Sequence, residues 1–421
     1  MNPLYNAGIH LFRLGVKVAS GKNKKADRML AGQSETFARL NSELDPGRRY
    51  IWMHAASLGE FEQGRPLLEM IRRERPELGI VLSFFSPSGY EVRKNYPVAD
   101  IVCYLPFDTA SNARRWVETI NPEMAIFVKY EFWGNYLEQL KKKDIPTYLI
   151  SAIFRKSQSF FQWWGGTFRH MLGCYSKLYV QDEASARLLA GINVHNVDVT
   201  GDTRFDRVTD ICRTTHEIAQ MEALKNTGKK IIVFGSSWKA DEQLYADWLR
   251  SHTDICGVIA PHEFDNCRLQ KLKEEFTTKQ GDTILLSELT SITDTADIYK
   301  CTKQLKCIIV DSFGQLASLY RYGDIAYIGG GFGHGIHNIN EAAVYGIPVI
   351  FGPKHQKFKE ATDLINCGGG FEVSGKTQLE SILNTLISDE KTLYTSGKAA
   401  GSYIARNIGA TPAIFKSIFD I

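Results

Sequence analysis

The stretch that decides the fold is Gly329-Gly-Gly-Phe-Gly-His-Gly-Ile-His-Asn-Ile-Asn-Glu341. It follows an apolar run, Ile325–Ile328, which predicts a buried strand, and it precedes Glu341–Tyr345, which predicts a helix. A glycine-rich turn that leads into a helix presents unpaired N–H groups at the positive end of the helix dipole, and this combination suits phosphate. The turn contains neither G-x-G-x-x-G nor G-K-[ST], which excludes the dinucleotide fingerprint and the Walker loop.

A purely structural role is the alternative interpretation of this turn. The glycines would then only let a helix pack closely on a sheet, and Asn338 and Glu341 would form an Asn-x-x-Glu helix cap. The stretch Tyr345-Gly-Ile-Pro-Val-Ile-Phe-Gly-Pro353 favours a binding role, because it predicts a second strand that ends in another turn at the same edge of the sheet. Two such turns predict a crevice at the carboxyl ends of the strands, where α/β proteins bind ligands.

Strand and helix signals alternate along most of the chain, which predicts mostly parallel sheets covered by helices on both faces. A polar stretch over residues 206–228 divides the pattern in two. We therefore predict an α/β fold of two Rossmann-like domains that face one another across a cleft: an N-terminal helix and basic run over 1–30, a first domain over 31–206, and a second domain with C-terminal helices over 207–421. The predicted strands are Tyr50–His54, Ile80–Phe85, Ile101–Tyr104, Met124–Val128, Thr147–Ile150, Leu178–Val180, Val197–Val199, Lys230–Ser237, Val258–Ala260, Ile284–Leu286, Cys307–Val310, Ile325–Ile328 and Val349–Phe351.

Composition and charge narrow the class of protein. The chain has 421 residues, of which 44% are hydrophobic and 23% charged, as in an ordinary globular protein of two or three domains. Its net charge of +3 is too small to argue for nucleic acid. The eight cysteines form no C-x-x-C, which favours free thiols in a reducing cytosol. No histidine pattern or D-x-D motif indicates a metal site, so neither a metal nor another cofactor is implied.

The N-terminal segment combines apolar and basic residues. Over residues 4–18, His10, Arg13 and Lys17 recur at helical spacing among apolar side chains, and residues 1–30 carry six basic residues against one acidic residue. This pattern is typical of a helix that lies on an anionic membrane surface. A helix that docks on the protein's own body is the alternative, and the sequence does not decide between them. No cleavage site of a secretory signal is present.

Polar turns follow strands in both halves of the chain. In the first half, His54-Ala-Ala-Ser-Leu-Gly-Glu60 places Glu60 in the first turn of a helix, where Ser57 and Glu60 also fit a capping box. Glu131 and Trp133 follow the strand Met124–Val128 and fall on the same rim. In the second half, four turns end strands at one sheet edge: they contain Ser236 and Ser237, His262, Asp311, and the glycine-rich stretch.

Seven segments carry a resemblance to a known family, in family order over nearly the whole chain: His54–Glu60, Glu131–Trp133, Ser151–Arg155, Gly201–Asp206, Asp311–Gln315, Gly329–Glu341 and Phe351–Pro353. Together they resemble the 3-deoxy-D-manno-octulosonic acid (Kdo) transferases of Gram-negative bacteria. The resemblance implies a GT-B glycosyltransferase on the cytoplasmic face of the inner membrane. Such enzymes transfer Kdo from CMP-Kdo to a hydroxyl of the lipid A precursor, lipid IVA, in lipopolysaccharide biosynthesis.

Roles for individual residues follow from the same resemblance. The glutamate that matches Glu60 is the proposed general base of the family, and the C-terminal domain holds CMP with Glu341 near the ribose. We expect the acceptor side to include His54, Ser57, Gly59, Glu131 and Trp133. We expect the donor side to include Ser236, Ser237, His262, Asp311, Gly331, Gly333, Gly335, Asn338 and Glu341. An anionic membrane surface is the expected partner besides the two substrates, and nucleic acid is not.

Two positions depart from the family pattern. Many members have an arginine before the histidine of the phosphate-contacting turn, where this chain has Pro261, and Lys129 replaces the acidic residue that often opens the Glu-x-Glu-x-Trp motif. Two alternatives to the Kdo transferase assignment stay open: a GT-B enzyme that uses a UDP-sugar, either a transferase or an epimerase, and a non-catalytic protein that binds sugar nucleotides or lipids. Binding of CMP as against UDP-GlcNAc, and the effect of Glu60→Gln, discriminate between them.

Overall fold

A computed structural model of the chain describes residues 1–214 and 217–420. The chain forms two compact units. The first unit contains Met1–Arg207 together with the chain from Ile408 onward, and the second contains Val208–Asn407.

The first unit is built on a seven-stranded sheet whose strand pairs are all parallel. Its strands are β1 (Tyr50–Ala55), β2 (Gly79–Phe84), β3 (Ile101–Tyr104), β4 (Met124–Val128), β5 (Thr147–Ala152), β6 (Lys177–Val180) and β7 (Val197–Val199). They lie in the order β3-β2-β1-β4-β5-β6-β7. The order of addition reverses between β1 and β4, and ligands of open α/β sheets bind at such a switch point.

Helices cover both faces of this sheet. They are α1 (Pro3–Ser20), α2 (Lys24–Glu43), α3 (Leu58–Glu74), α4 (Pro87–Arg93), α5 (Ala110–Ile120), α6 (Gly134–Lys142), α7 (Gly166–Leu172) and α8 (Glu183–Ala190). One hydrophobic core centres on Trp52, Trp116 and Tyr136, and a second, which contains Met53 and Phe61, fills the other face. Because both faces are buried, β4 is a continuous apolar run and β1 is apolar apart from His54.

Helix α9 (Thr203–Thr214) begins in the first unit and ends in the second. The second unit contains the strands β8 (Lys230–Ser237), β9 (Ile255–Pro261), β10 (Thr283–Leu285), β11 (Cys307–Ile309), β12 (Ile325–Ile328), β13 (Val349–Phe351) and β14 (Gly370–Glu372). They form a second parallel sheet in the order β10-β11-β9-β8-β12-β13-β14, with its switch point between β8 and β12. Strand β14 is not among the strands predicted from the sequence.

The helices of the second unit are α10 (Ala219–Lys225), α11 (Lys239–Ser251), α12 (Asn266–Phe276), α13 (Leu286–Thr290), α14 (Thr295–Gln304), α15 (Leu316–Leu319), α16 (Asn340–Ala343), α17 (Lys359–Asn366), α18 (Lys376–Ser388) and α19 (Glu390–Asn407). Helices α9 and α10 occupy much of the polar stretch over 206–228, for which the sequence predicted only a boundary between domains. Residues 215 and 216 of that stretch lie outside the described residues.

The last helix, α20 (Ala410–Phe419), differs from the division expected from the sequence, which assigned 207–421 to one domain. It returns to the first unit, where Ile414 and Ile418 join the hydrophobic core beside α3. Asp206 fixes the start of this helix, because its two carboxylate oxygens accept hydrogen bonds from Gly409 N at 2.6 Å and Thr411 N at 2.7 Å. The contact joins residues about 200 positions apart, so no local pattern predicts it.

Helix α1 is attached to the first unit by polar contacts near its N-terminus. The hydroxyl of Tyr5 donates to Asp108 Oδ2 at 2.6 Å and accepts from Gly134 N at 3.1 Å, and Asn135 Nδ2 donates to Asn6 Oδ1 at 2.8 Å. No residue of α1 is buried. Its exposed large apolar side chains are Leu4, Leu11, Phe12, Leu14 and Val18. Across the described part of the chain, every helix is too short or too polar to cross a membrane.

Candidate active site

A histidine and a glutamate meet at the switch point of the first unit. His54 belongs to β1 and Glu131 follows β4, and both side chains are buried. His54 Nδ1 lies 2.8 Å from Ser83 Oγ on β2, and His54 Nε2 lies 3.0 Å from Glu131 Oε2. The ring does not direct Nε2 at this oxygen as a hydrogen bond requires, so the two groups are in contact without a hydrogen bond. The indole N–H of Trp133 donates to the same oxygen.

Glu60 forms the capping box that the sequence predicts at the start of α3. Its Oε2 accepts hydrogen bonds from Ser57 N and Ser57 Oγ, both at 2.9 Å. Both bonds go to one oxygen, which leaves Oε1 outside the capping box. The carboxylate is half-buried, and burial raises the pKa of Glu60, with the nearby charge of Glu131 acting in the same direction and the Ser57 bonds opposing it. A carboxylate with a raised pKa is better matched to proton abstraction than an ordinary one.

The expected acceptor-side residues separate into two groups in the structure. The side chains of His54 and Glu131 are buried beneath the surface, where they contact each other and hold Trp133 in position. Ser57, Gly59 and Trp133 reach the surface, and a Cβ added at Gly59 would meet open space. Trp133 packs on Phe85, with ring centroids 4.7 Å apart. The first group can only shape the site, whereas the second can contact a ligand.

Three residues other than glycine have a left-handed backbone at these strand ends. Lys129 follows β4 with φ of 70°, Ser151 in β5 has φ of 53°, and Ser236 in β8 has φ of 50°. Each such residue costs about 1–3 kcal/mol, and such strain concentrates at functional sites. Lys129 therefore has a strained backbone in the candidate site, and it is also a position where this chain departs from the family pattern.

The glycine-rich turn of the second unit closes on itself. Gly330 has φ of 91°, and its carbonyl accepts hydrogen bonds from Gly333 N at 2.9 Å and Gly335 N at 3.0 Å. The expectation that these two N–H groups are unpaired is therefore wrong. Gly331 lies against the backbone of Gly352, where an added Cβ would approach to 2.6 Å. Close approach of two backbones is thus the reason for glycine at 331.

The helix after this turn is also shorter than the sequence suggests. Helix α16 has four residues, and its N-cap Ile339 makes no side-chain cap bond. The alternative interpretation, an Asn-x-x-Glu helix cap, differs from the structure in detail: Asn338 Nδ2 donates to Glu341 Oε1 at 2.9 Å, and Asn338 Oδ1 accepts from Asn340 N. Because one turn has little dipole, helix-end stabilisation of a phosphate is weaker here than predicted.

The other expected donor-side residues occupy different environments. Ser236 and His262 line a cavity of about 250 Å³, together with Ser312 and Phe313. Ser237 is buried, and its hydroxyl lies 2.8 Å from the Tyr245 hydroxyl in the core. The two carboxylate oxygens of Asp311 accept hydrogen bonds from the backbone and hydroxyl of Ser287. The cavity therefore brings together Ser236 and His262, whereas Ser237 and Asp311 bond to other parts of the protein.

Two functional candidates in the second unit, Trp238 and Asp241, were not predicted from the sequence. Trp238 stacks on His262 at 4.7 Å and donates from Nε1 to His337 Nε2 at 3.2 Å, and the two imidazoles stack at 4.2 Å. Burial, with the adjacent His262, lowers the pKa of His337 to about 4. Asp241 accepts from Gly330 N at 2.9 Å and from Trp238 N, so it ties α11 to the glycine-rich turn. A Trp-x-x-Asp pattern directly after the Gly235-Ser-Ser237 turn is the signal that could have found both.

No group of three His, Cys, Asp or Glu side chains within residues 1–214 and 217–420 is arranged so that it could hold a metal ion. A cavity of about 710 Å³, larger than the one beside Ser236, lies near Tyr50 at the amino end of β1. It is at the opposite edge of the sheet from His54 and Glu131, so size alone does not mark the site.

Comparison with known proteins tests the resemblance. Residues 31–207 match the family described as 3-Deoxy-D-manno-octulosonic-acid transferase (kdotransferase). The resemblance to this family is confirmed. A 3-deoxy-D-manno-octulosonic acid transferase of Haemophilus influenzae is 25% identical over 92% of this chain and 90% of its own length. Another from Aquifex aeolicus is 26% identical over 83% of this chain and 89% of its own.

Solved structures with a similar fold support the fold class. A UDP-GlcNAc 2-epimerase from Neisseria meningitidis superposes with a TM-score of 0.59 at 14% identity, covering 88% of this chain and 100% of its own. The S. aureus MnaA protein gives 0.55 at 14% identity, covering 88% of this chain and 96% of its own. At this identity the likeness shows the fold alone. The α/β GT-B class with two Rossmann-like units, predicted from the sequence, is confirmed.

Proposed function

We propose that this protein is an inverting glycosyltransferase that transfers Kdo from CMP-Kdo to a lipid A precursor, lipid IVA, in lipopolysaccharide biosynthesis. The family match supports glycosyl transfer of Kdo. The observation that carries the proposal is Glu60, a half-buried carboxylate with a raised pKa and one oxygen outside the capping box, at the switch point of the first unit. On the acceptor side, such a reaction requires a base that removes the proton of the acceptor hydroxyl, and Glu60 can be that base.

The proposed mechanism assigns proton abstraction to Glu60. Its carboxylate takes the proton of the acceptor hydroxyl as that oxygen attacks the anomeric carbon from the face opposite CMP. The bond from the anomeric carbon to the phosphate oxygen breaks, and its electron pair leaves with CMP, so the configuration inverts. A positioned base of this kind contributes roughly 10²–10⁴-fold to the rate.

We propose that the donor binds at the switch point of the second unit. The cavity of about 250 Å³ beside Ser236 and His262 is lined on another side by Phe313, which stacks on Phe264 with centroids 4.6 Å apart. Such a polar and aromatic pocket suits a nucleobase with its ribose. Gly331, Gly333, Gly335, Asn338 and Glu341 stay proposed donor contacts. Ser237 and Asp311 would stabilise the walls of the pocket without contacting the donor.

A membrane-bound acceptor agrees with α1. The helix is attached to the first unit through Tyr5 and presents Leu4, Leu11 and Leu14 to the outside. Basic residues follow these apolar side chains from Lys17 to Arg28. We propose that α1 lies in the interface of an anionic membrane, on the cytoplasmic face of the inner membrane, where it brings the site close to its lipid.

The test is transfer of Kdo, with CMP-Kdo generated during the assay and a tetraacylated lipid A precursor as acceptor. We expect product from the wild type and a loss of about 100-fold or more in Glu60→Gln. Glu62→Gln is the matched control, because it makes the same change on the same helix at a carboxylate that pairs with Arg93; it should lose little activity. No product from the wild type, with tight binding of UDP-GlcNAc instead of CMP, would overturn the proposed donor.

A further inference from the structure

An apolar groove of about 460 Å³ lies in the first unit between α1, α2 and the turn after β2. Small residues on the facing helices leave it open: Gly15 and Ala19 on α1, and Ala26 on α2. Its walls are apolar: Phe12, Val16, Met29, Phe85 and Pro87. This volume is within the range of small-molecule sites, which are commonly about 300–1,000 Å³.

The rim of the groove is basic. Lys25 is one of the lining residues, and Lys17, Lys22 and Lys24 lie on the adjoining turns of chain. None of these four lysines forms an ion pair with any residue that the structure describes. An apolar trough edged by unpaired ammonium groups is complementary to an amphiphile with an apolar chain and an anionic head group.

Aromatic side chains connect this groove to Glu131 and His54. Phe12 packs on Phe85 with centroids 6.1 Å apart, and Phe85 packs on Trp133 at 4.7 Å. Trp133 in turn donates to Glu131, which pairs with His54. The side chain of Trp133 therefore lies between the groove and the pair Glu131 and His54, which is close to the candidate base Glu60. If the sugar of a lipid lies beside Glu60, its acyl chain can extend along the surface between α1 and α2.

We propose that the groove between α1 and α2 binds one acyl chain of the phosphorylated lipid acceptor and thereby orients the acceptor sugar at Glu60. This inference rests on the proposed function and extends it by assigning a place to the acyl part of the substrate. The occupant is a saturated chain of an anionic lipid, and the lysines at the rim bind its phosphate. Helix α1 then has a second role besides lying on the membrane: it forms one wall of a substrate site.

Two glycines on α1 provide a matched pair for the test. A Cβ at either Gly15 or Gly8 would meet nothing within 4 Å, so a larger side chain fits at both positions. Leucine is also a better helix former than glycine at each. Gly15→Leu fills the groove, whereas Gly8→Leu adds the same apolar area to α1 outside the groove lining. Ala26→Leu fills the groove from α2 and gives a second, independent variant.

The binding experiment uses lysophosphatidic acid with chains of 8 or 12 carbons, titrated by calorimetry below the critical micelle concentration. We expect the wild type to bind the longer chain at least about tenfold more tightly, because each methylene that leaves water contributes roughly two- to fourfold. Gly15→Leu and Ala26→Leu should lose this dependence, and Gly8→Leu should keep it. Equal binding by Gly15→Leu and Gly8→Leu, or no effect of chain length in the wild type, would overturn the proposal.

A second measurement separates this inference from the proposed function. With a deacylated, water-soluble acceptor, Gly15→Leu and Gly8→Leu should transfer Kdo at the same rate. With the tetraacylated acceptor, only Gly15→Leu should show a raised KM. If the wild type transfers Kdo to neither acceptor, the proposed function fails, whatever the calorimetry shows. If both variants use the tetraacylated acceptor alike, the groove assignment fails while the transfer activity stands.

Discussion

His54 Nε2 and Glu131 Oε2 lie 3.0 Å apart, in a buried pair that joins the ends of β1 and β4 at the switch point of the first sheet. Trp133 donates to the same carboxylate, and Ser83 holds the other ring nitrogen of His54. Burial raises the pKa of Glu60 at the surface, the charge of Glu131 acts in the same direction, and His54 opposes it.

Glu131→Gln should therefore move the pH dependence of Kdo transfer. A general base works when deprotonated, so the rate falls as pH falls through the pKa of Glu60. Burial and the Glu131 charge raise this pKa above the ordinary value of a glutamate, and removal of the charge should shift the acidic limb of the profile to lower pH. Glutamine keeps an oxygen that can accept from Trp133.

The matched control for this profile is Glu62→Gln. Glu62 is on the same helix, α3, but its carboxylate pairs with Arg93 and Arg65. We expect the acidic limb of the pH profile of Glu62→Gln to coincide with that of the wild type. A profile of kcat/KM against pH that is unchanged in Glu131→Gln would mean that the buried pair has only a structural role.

His337 should stay neutral far below the usual range of histidine. Burial and the neighbouring His262 lower its pKa to about 4, and Trp238 Nε1 donates to its Nε2, so the ring proton is on Nδ1. Because this pKa is below the unfolded value of about 6.5, unfolding takes up a proton between these two pH values, and stability falls as pH falls through this window.

Nitrogen NMR of the histidine rings checks both statements about His337. The expected spectrum shows an Nδ1–H tautomer at pH 7 and a midpoint near pH 4, and His337→Gln should flatten the pH dependence of the unfolding temperature between pH 6.5 and 4. A midpoint for His337 near the ordinary value of about 6.5 would contradict the effect of the stack on this ring.

Local sequence patterns predicted the strands far better than the details of the site. Every predicted strand is present, because apolar runs such as Ile325–Ile328 fill positions that are buried on both faces of a parallel sheet. Strand β14 was missed because its three residues, Gly370, Phe371 and Glu372, contain one apolar side chain. The Ser57–Glu60 capping box was predicted because it depends on residues three apart.

The errors concern contacts between residues that are distant in sequence or depend on backbone geometry. The return of α20 depends on Asp206 about 200 residues earlier, and no periodicity encodes such a contact. The N–H groups of Gly333 and Gly335 are used because Gly330 adopts a positive φ and turns its carbonyl towards them. Ser237 faces the core because the strand register shifts between Phe234 and Ser237.

The glycines of the turn should therefore differ in their tolerance of alanine. Gly331→Ala places a Cβ 2.6 Å from the backbone of Gly352, which cannot move without displacing β13, and we expect a loss of about 1–3 kcal/mol in the free energy of unfolding. At Gly333 the nearest atom to an added Cβ is 3.9 Å away, so Gly333→Ala should leave stability almost unchanged. Urea unfolding of both variants measures the difference. Equal losses would refute the backbone contact as the reason for Gly331.

The apolar side chains of α1 should control attachment to membranes. Leu11 is 68% exposed and Leu14 57% exposed, so Leu11→Glu with Leu14→Glu removes no buried contact and should leave the folded unit intact. We expect binding to anionic vesicles to fall at least about tenfold, because two side chains no longer enter the hydrocarbon boundary and two negative charges are added.

Tyr394→Glu in the second unit is the control for this variant, since Tyr394 is also 68% exposed but lies outside α1. Sedimentation with vesicles that contain phosphatidylglycerol, at low and high salt, should separate the two variants: only the α1 variant loses binding, and the salt dependence of the wild type reports the lysines that follow α1. Unchanged sedimentation of the α1 variant would show that another surface attaches the protein, and the acyl groove beside α1 would then have to receive its lipid from solution.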